Sequence, residues 1–199
     1  MAISNGYATL AEVKASLRIP ADDTIDDTLI ELAVEAASRQ IDQACERIFY
    51  QDSGTRYFVP RDSYVCEIDD LASLTTLKTS SGADGTYDIT WQATDYQTEP
   101  LNGIVGGIES PITQIRAIDD YLFTIDGGEA TVQVTGTWGW SAIPSAIKQA
   151  AIILSSRVFR RNDSPLGVAG FGDIGVVRVS KLDPDVEAMI MPYKKIRMA

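Results

Sequence analysis

The chain has 199 residues, of which 45% are hydrophobic and 23% are charged, and its formal net charge is −11. This length and apolar fraction are enough for one sizeable core or two small ones. The longest apolar runs are too short to cross a bilayer, and the first ten residues lack the basic start and apolar centre of a signal peptide. We therefore expect a globular protein that is made, and stays, in a cytoplasm.

The chain contains no histidine, so it lacks the commonest general base and the commonest transition-metal ligand. Histidine-based catalytic triads and zinc–histidine sites are therefore excluded. The two cysteines, Cys45 and Cys66, fall in different predicted elements without metal-type spacing. We interpret them as buried free thiols in preference to a disulfide, and we expect neither a cofactor nor a metal.

Two helices are predicted in the first 49 residues. Thr9 and Glu12 form a capping-box pattern that begins a short helix, which runs to about Arg18 and is stopped by Pro20. An acidic start, which the helix dipole favours, then leads into a helix over about 26–49. Apolar residues keep helical spacing along it, and its small alanines would let another helix pack closely. These residues are Leu29, Leu32, Ala33, Ala36, Ala37, Ile41, Ala44, Cys45 and Ile48.

A β-rich block follows between Thr55 and Trp140, where short runs are broken by Gly, Asp and Pro. We predict a small antiparallel sandwich or barrel, inserted between the helical pieces. Trp138 and Trp140 are interpreted as a staple between the last strand and the following helix, in preference to a ligand-stacking platform. The strands are expected over 56–59, 64–68, 74–79, 87–92, 95–98, 112–118, 121–125 and 130–137.

The last quarter of the chain begins with a helix over 144–161, whose proline suits a first helical turn. Apolar residues cover so much of its girth that burial on two sides is indicated, and the second side suits another subunit. A glycine-rich loop over 162–175 follows, which we interpret as a segment that becomes ordered on binding a partner. A second helix is predicted between its N-cap, Asp183, and Pro192, and a basic tail comes after it.

Charge is distributed unevenly along the chain. Residues 145–199 carry nine Lys/Arg and five Asp/Glu, a net of +4, whereas residues 1–144 carry eight and twenty-three, a net of −15. This asymmetry indicates either a particle with an acidic and a mildly basic end or simple solubility through net charge.

Four stretches, in their order along the chain, resemble the head–tail connector (adaptor) proteins of tailed bacteriophages and related gene-transfer particles. They are residues 9–18, the acidic turn that leads into 29–42, the helix 144–161 and the C-terminal stretch 183–193. The two ends carry the resemblance, whereas the β block matches only the longer members of the family, and loosely.

The resemblance implies a helical bundle that assembles as a ring, commonly of twelve copies, beneath the portal protein in the virion neck. Such a ring extends a channel that genomic DNA passes without sequence-specific binding, and it offers a platform for head-closure or tail proteins. Neither catalysis nor membrane contact is expected. One alternative is another neck part, such as a head-closure or tail-terminator protein, which would contain less helix. The other is a carbohydrate-active hydrolase that uses Asp88, Asp95 and Glu99.

The predicted fold is α+β: a small helical bundle formed by the N- and C-terminal helices, with an inserted antiparallel β-sandwich or barrel-like block. The predicted boundaries are 1–53, 54–141 and 142–199. We expect ring contacts, or docking of the portal and tail proteins, at residues of the last quarter. These are Leu154, Val158, Phe159, Arg160, Arg161, Phe171, Val186, Met189, Tyr193, Lys194 and Lys195.

Overall fold

The computed structural model describes residues 3–82, 85–161 and 183–195. The chain divides into two compact units. The helical unit is built from both ends of the chain, Met1–Arg47 and Ile143–Ala199, and the β unit is Ile48–Ala142. The protein is therefore α+β, with a β block inserted between helical segments, as the sequence predicts.

The helical unit begins with α1 (Leu10–Leu17) and α2 (Asp27–Cys45). The predicted capping box is formed, because Glu12 N donates to Thr9 Oγ1 (3.3 Å) and Thr9 N donates to Glu12 Oε2 (2.9 Å). The second helix ends four residues before the predicted Phe49. Glu46 adopts a left-handed conformation with φ of 54°, and its N–H bonds back to Asp42 O.

The remaining helices are α3 (Ser145–Arg160) and α4 (Pro184–Ile190), and α4 is followed by one 3₁₀ turn, Met191–Tyr193. Asp183 caps α4 as predicted, since its Oδ1 accepts from Asp185 N at 3.1 Å. The predicted glycine-rich loop lies outside the described residues. Within the described ranges, no helix is long and apolar enough to span a membrane.

The β unit contains one antiparallel sheet in the order β1-β8-β2-β7-β4, with β3 paired to β2, and β5 and β6 pair separately as a small hairpin. Among the described strands, the path ends at β1 and β4 without closing into a barrel. The strands are β1 (Asp52–Phe58), β2 (Val65–Thr79), β3 (Ile89–Trp91), β4 (Tyr96–Glu99), β5 (Ile104–Val105), β6 (Ile108–Glu109), β7 (Ile112–Ala117) and β8 (Val132–Trp138).

Strand β2 differs most from prediction. The runs expected over 64–68 and 74–79 are parts of one fifteen-residue strand. Its first part pairs with β7 and its second part with β8 and β3, and register shifts interrupt the pairing with β7 and with β8. The strand expected over 121–125 is not formed, although Phe123 N donates to Ser63 O at 2.8 Å.

The tryptophans at the end of β8 and two residues after it stabilise the β unit from inside. Trp138 and Trp140 are both buried, and Trp138 Nε1 donates to Gly54 O at 2.9 Å. Trp140 Nε1 donates to Asp70 Oδ2 (3.2 Å), and its ring lies 5.2 Å from that of Phe49. Their burial leaves no face open for stacking a ligand. These partners all lie in the β unit. The contacts therefore hold the β unit together, whereas the sequence predicted that the tryptophans join the last strand to the following helix.

Candidate interaction surfaces

The predicted contact residues of α3 fall into a buried and an exposed group. Leu154 is only 4% exposed and belongs to the core of the helical unit, so its side chain has almost no surface to offer a partner. Val158 and Phe159 are half-buried at the last turn, and the two arginines at positions 160 and 161 are exposed. The predicted contact residues here that keep exposed surface are therefore Val158–Arg161, at the C-terminal end of α3.

The C-terminal segment packs against α2 and α3. Val186 and Ile190 are completely buried, so Val186, like Leu154, holds the unit together. The backbone N–H of Lys195 donates to Cys45 O at 2.9 Å, which ties the segment to the end of α2. Met189, Tyr193 and Lys194 are partly exposed, and Lys195 is exposed; Phe171 lies outside the described residues. The role of all these residues in partner contacts stays a prediction.

The outer face of α2 is a surface that the sequence-based prediction missed. The predicted apolar set combined two faces of the helix. One face is buried, and its residues are Ile30, Ala33, Val34, Ala37, Ser38, Ile41 and Cys45. The other is exposed, and Leu29 and Leu32 each keep 45% of their surface open to solvent. We call this exposed, uncharged row the α2 stripe; it comprises Leu29, Leu32, Ala36, Gln40 and Gln43.

Charged residues of α2 lie beside the stripe and contact the segment that precedes α1. Glu35 Oε1 accepts from the backbone N–H groups of Ser4 (2.7 Å) and Asn5 (3.2 Å). Arg39 donates to Asn5 O at 2.8 Å and pairs with Asp42 at 3.1 Å. The Tyr7 hydroxyl donates to Asp42, whose pKa is nevertheless raised because burial disfavours its charged form. The stripe itself has no charge along its length.

A second apolar surface lies beside α1. It is an open groove of about 370 Å³, which we call the α1 groove. Lys14 forms its floor, and the Nζ of this 5% exposed side chain donates to Asp27 Oδ1 (2.7 Å), to Ala21 O (3.3 Å) and to Asp23 O. All three ammonium donors have acceptors. The walls are aliphatic, and the lining residues are Leu10, Ala11, Lys14, Ala15, Ile19, Ala21 and Asp27.

The carboxylates considered for a hydrolase have structural partners. Asp88 accepts from the backbone N–H and hydroxyl of Ser81, and Asp95 accepts from Gln92 N at 2.7 Å. Glu99 pairs with Arg116 across the β4–β7 ladder at 2.7 Å. The described residues contain no group of three or more His, Cys, Asp or Glu that could hold a metal ion. Nothing in these contacts supports the hydrolase alternative.

Both cysteines are free and buried, as predicted. Burial raises the pKa of the Cys45 thiol to about 11 and that of the Cys66 thiol to about 12. Thiols with such pKa values are almost entirely protonated at neutral pH, and the thiolate is the reactive form. Neither cysteine is therefore suited to be a nucleophile.

The acidic excess of the chain lies in the β unit. Residues 48–142 carry four Lys/Arg and fourteen Asp/Glu, a net of −10. The two segments of the helical unit carry the other thirteen Lys/Arg and fourteen Asp/Glu, a net of −1. The contrast predicted along the sequence is thus a contrast between one acidic and one almost neutral unit.

The chain is similar to known proteins in sequence and in fold. Residues 7–73, about a third of the chain, match the family of phage gp6-like head-tail connector proteins. The whole chain is similar in fold to a chain in the neck of an empty gene transfer agent particle computed with C6 symmetry. That similarity has a TM-score of 0.60 at 19% identity, and it covers 100% of this chain and 95% of that one.

Two further structures show the same similarity. A chain in the neck of a native gene transfer agent particle computed with C12 symmetry matches with a TM-score of 0.58 at 17% identity, covering 100% of this chain and 94% of that one. A chain in the virion of the native gene transfer agent particle matches with a TM-score of 0.56 at 19% identity, and the match covers 100% of this chain and 95% of that one. No curated protein matches the sequence. The predicted resemblance is therefore confirmed: residues 7–73 match the head-tail connector family, and the whole chain is similar in fold to chains of gene transfer agent particles.

Proposed function

We propose that this protein is a structural head–tail connector, which forms a ring in the neck of a phage or phage-like particle. The observation that carries the proposal is the coincidence of the connector-family region with a fold that matches neck chains over its whole length. Those necks were computed with C6 and C12 symmetry. By analogy we propose twelve copies around the channel. The role is mechanical and requires no catalytic step.

The charge distribution suits such a ring. Copies can meet through helical units whose net charge is only −1, because little electrostatic repulsion opposes their contact. The β units, each with a net charge of −10, would give the ring strongly acidic regions. An acidic surface facing the channel would repel DNA phosphates, so the genome could pass without being bound.

Two basic patches of the helical unit are the proposed docking surfaces for the portal or for head-closure and tail proteins. One is the C-terminal end of α3, beside the start of α4, and the other is the segment after α4, beside the end of α2. Their residues are Val158, Phe159, Arg160 and Arg161 in the first patch, and Tyr193, Lys194 and Lys195 in the second. Phe171, in the glycine-rich segment, is proposed as a further contact. Half-buried apolar groups beside exposed cations are suited to a polar interface with a small apolar centre.

The test is to measure the mass of the purified protein by light scattering, alone over a range of concentrations and after mixing with the portal protein of the same genome. A connector should bind the portal and add an integral number of copies to each portal ring. A chain that stays monomeric and leaves the mass of the portal unchanged would refute the proposal. Bovine serum albumin at the same concentration controls for non-specific adsorption.

A further inference from the structure

The α2 stripe and the α1 groove are two apolar surfaces on the same unit. The stripe projects two half-exposed leucines from a helix, Leu29 and Leu32, whereas the groove is a concave surface with aliphatic walls. Every charge on the groove floor is paired, because Lys14 meets Asp27 and two backbone carbonyls. One surface can therefore fill the other without leaving a charge unpaired.

The two surfaces face in different directions. Asp27 lines the groove and Leu29 begins the stripe, and both lie on α2. With 3.6 residues per turn, two positions on a helix are about 200° apart, which places their side chains on nearly opposite sides. A surface and its complement on opposite sides of one subunit cannot meet within the subunit, but they can meet head to tail between copies. Rings are built from such heterologous contacts.

Charge favours a second copy of this chain as the occupant. The stripe itself contains no charged residue, in a chain in which 23% of residues are charged, although the Arg39 side chain beside it is 41% exposed. The helical unit has a net charge of −1, so two such units can approach each other without strong electrostatic repulsion. Two β units, each with a net charge of −10, would repel each other strongly. A basic or acidic partner would find no complementary charge on the stripe.

We infer that the α2 stripe of each copy packs into the α1 groove of the next copy around the ring. This inference rests on the proposed ring and adds the surfaces that close it. Leu29 and Leu32 enter the groove, and Ala11 and Ala15 of the neighbouring α1 let the two helices approach closely. The contact places α2 of one copy beside α1 of the next.

Cross-linking between single cysteines tests this contact in the full-length chain. Ala15→Cys places a thiol in the groove and Leu32→Cys places one in the stripe, both at exposed positions. A short bismaleimide should convert the double variant into a ladder of covalent oligomers. A mixture of the two single variants should give dimers and nothing larger, and each single variant alone should remain uncross-linked. The wild type should not react, because Cys45 and Cys66 are buried.

The matched control pairs Ala15→Cys with Leu101→Cys, a 68% exposed leucine of the β unit, and this pair should give no ladder. Dimers from Leu32→Cys alone would show that stripe meets stripe, which overturns the inference. Absence of a ladder in a protein that light scattering shows to be assembled would overturn the inference and leave the neck proposal standing. Absence of both cross-linking and assembly, with and without portal, would remove both.

Discussion

At the scale of single residues, Lys14 shows how the helical unit tolerates a buried charge. Its side chain is only 5% exposed, and its ammonium group connects α1 to the loop at Ala21–Asp23 and to Asp27. A buried charge is tolerated when it is paired and fully hydrogen-bonded. The sequence alone did not predict this pair, because its partner lies thirteen residues away across a turn.

Replacing Lys14 should therefore destabilise the helical unit. Lys14→Met keeps the length of the side chain but leaves the Asp27 carboxylate and two carbonyls without their donor, so we expect the free energy of unfolding to fall by about 2 kcal/mol. Urea denaturation followed by far-UV circular dichroism measures the loss. The control is Lys148→Met. This variant loses the exposed ion pair between Lys148 and Glu12, which should contribute less than about 1 kcal/mol to the free energy of unfolding. Equal losses in the two variants would contradict the assigned role of Lys14.

The Glu12–Lys148 pair predicts a pH dependence. The hydrogen bond from Lys148, followed by the backbone N–H of Thr9, lowers the pKa of Glu12 below its ordinary value of 4.5. A carboxyl whose pKa is lowered by folding stabilises the protein above its unfolded pKa, and this contribution disappears as the pH falls through the folded pKa. Glu12→Gln should thus lower the unfolding free energy more at pH 7 than at pH 3. A deficit that is larger at the acidic pH would contradict this assignment.

At the scale of elements, local patterns predicted beginnings better than ends and faces. The capping box at Thr9 and the cap at Asp183 depend on neighbouring residues, and both are formed. The end of α2 depends on Glu46 in a left-handed conformation that few residues other than glycine favour, so it could not be read locally. The α2 stripe was missed because both faces of the helix are rich in leucine, isoleucine or alanine, and periodicity alone does not say which face is covered.

Strand β2 was predicted as two strands because Asp69 and Asp70 resemble a break between them. In the structure Asp70 is 7% exposed, and it accepts a hydrogen bond from Trp140, seventy residues away in the chain. Such long-range contacts override the local preference of aspartate for turns. Most of the other strands were located to within a few residues, whereas the hairpin β5–β6 and the pairing order were not predicted.

The β2–β8 pairing depends on a glycine at position 136. A Cβ there would overlap the carbonyl oxygen of Ser73 and come within 2.9 Å of Leu71 Cδ1, so Gly136→Ala should cost about 1–3 kcal/mol. Gly54 of β1 pairs with Gly136 of β8 and has open space at its own Cβ position. Gly54→Ala is therefore the matched control and should be nearly neutral. Tryptophan fluorescence during urea denaturation reports this unit alone, because all three tryptophans lie in it. A neutral Gly136→Ala would show that the strands can separate at this point.

Helix α4 should act as part of the core of the helical unit. Ile190 is completely buried, so Ile190→Ala should lower the unfolding free energy by about 2–4 kcal/mol through lost burial and a residual cavity. Met191, the next residue, is 69% exposed, and Met191→Ala should change stability by less than about 0.5 kcal/mol. Far-UV circular dichroism in urea distinguishes the two. Stability unaffected by Ile190→Ala would mean that α4 is not docked in solution.

At the largest scale, the two units differ in net charge. The β unit carries almost the whole net negative charge, whereas the helical unit is nearly neutral and has the stripe and the groove. The sequence predicted the acidic excess but assigned it to everything before residue 145. The N-terminal helices fold with the C-terminal ones into one unit, which a count along the chain cannot reveal.

Electron microscopy of the full-length protein bound to the portal of the same genome tests the proposal that copies of this chain form a ring in a virion neck. Two-dimensional averages are viewed along the channel axis. We expect an added ring of rotationally repeated density that is coaxial with the portal. Portal particles with no added density, in a sample where the protein remains monomeric at every concentration, would contradict it.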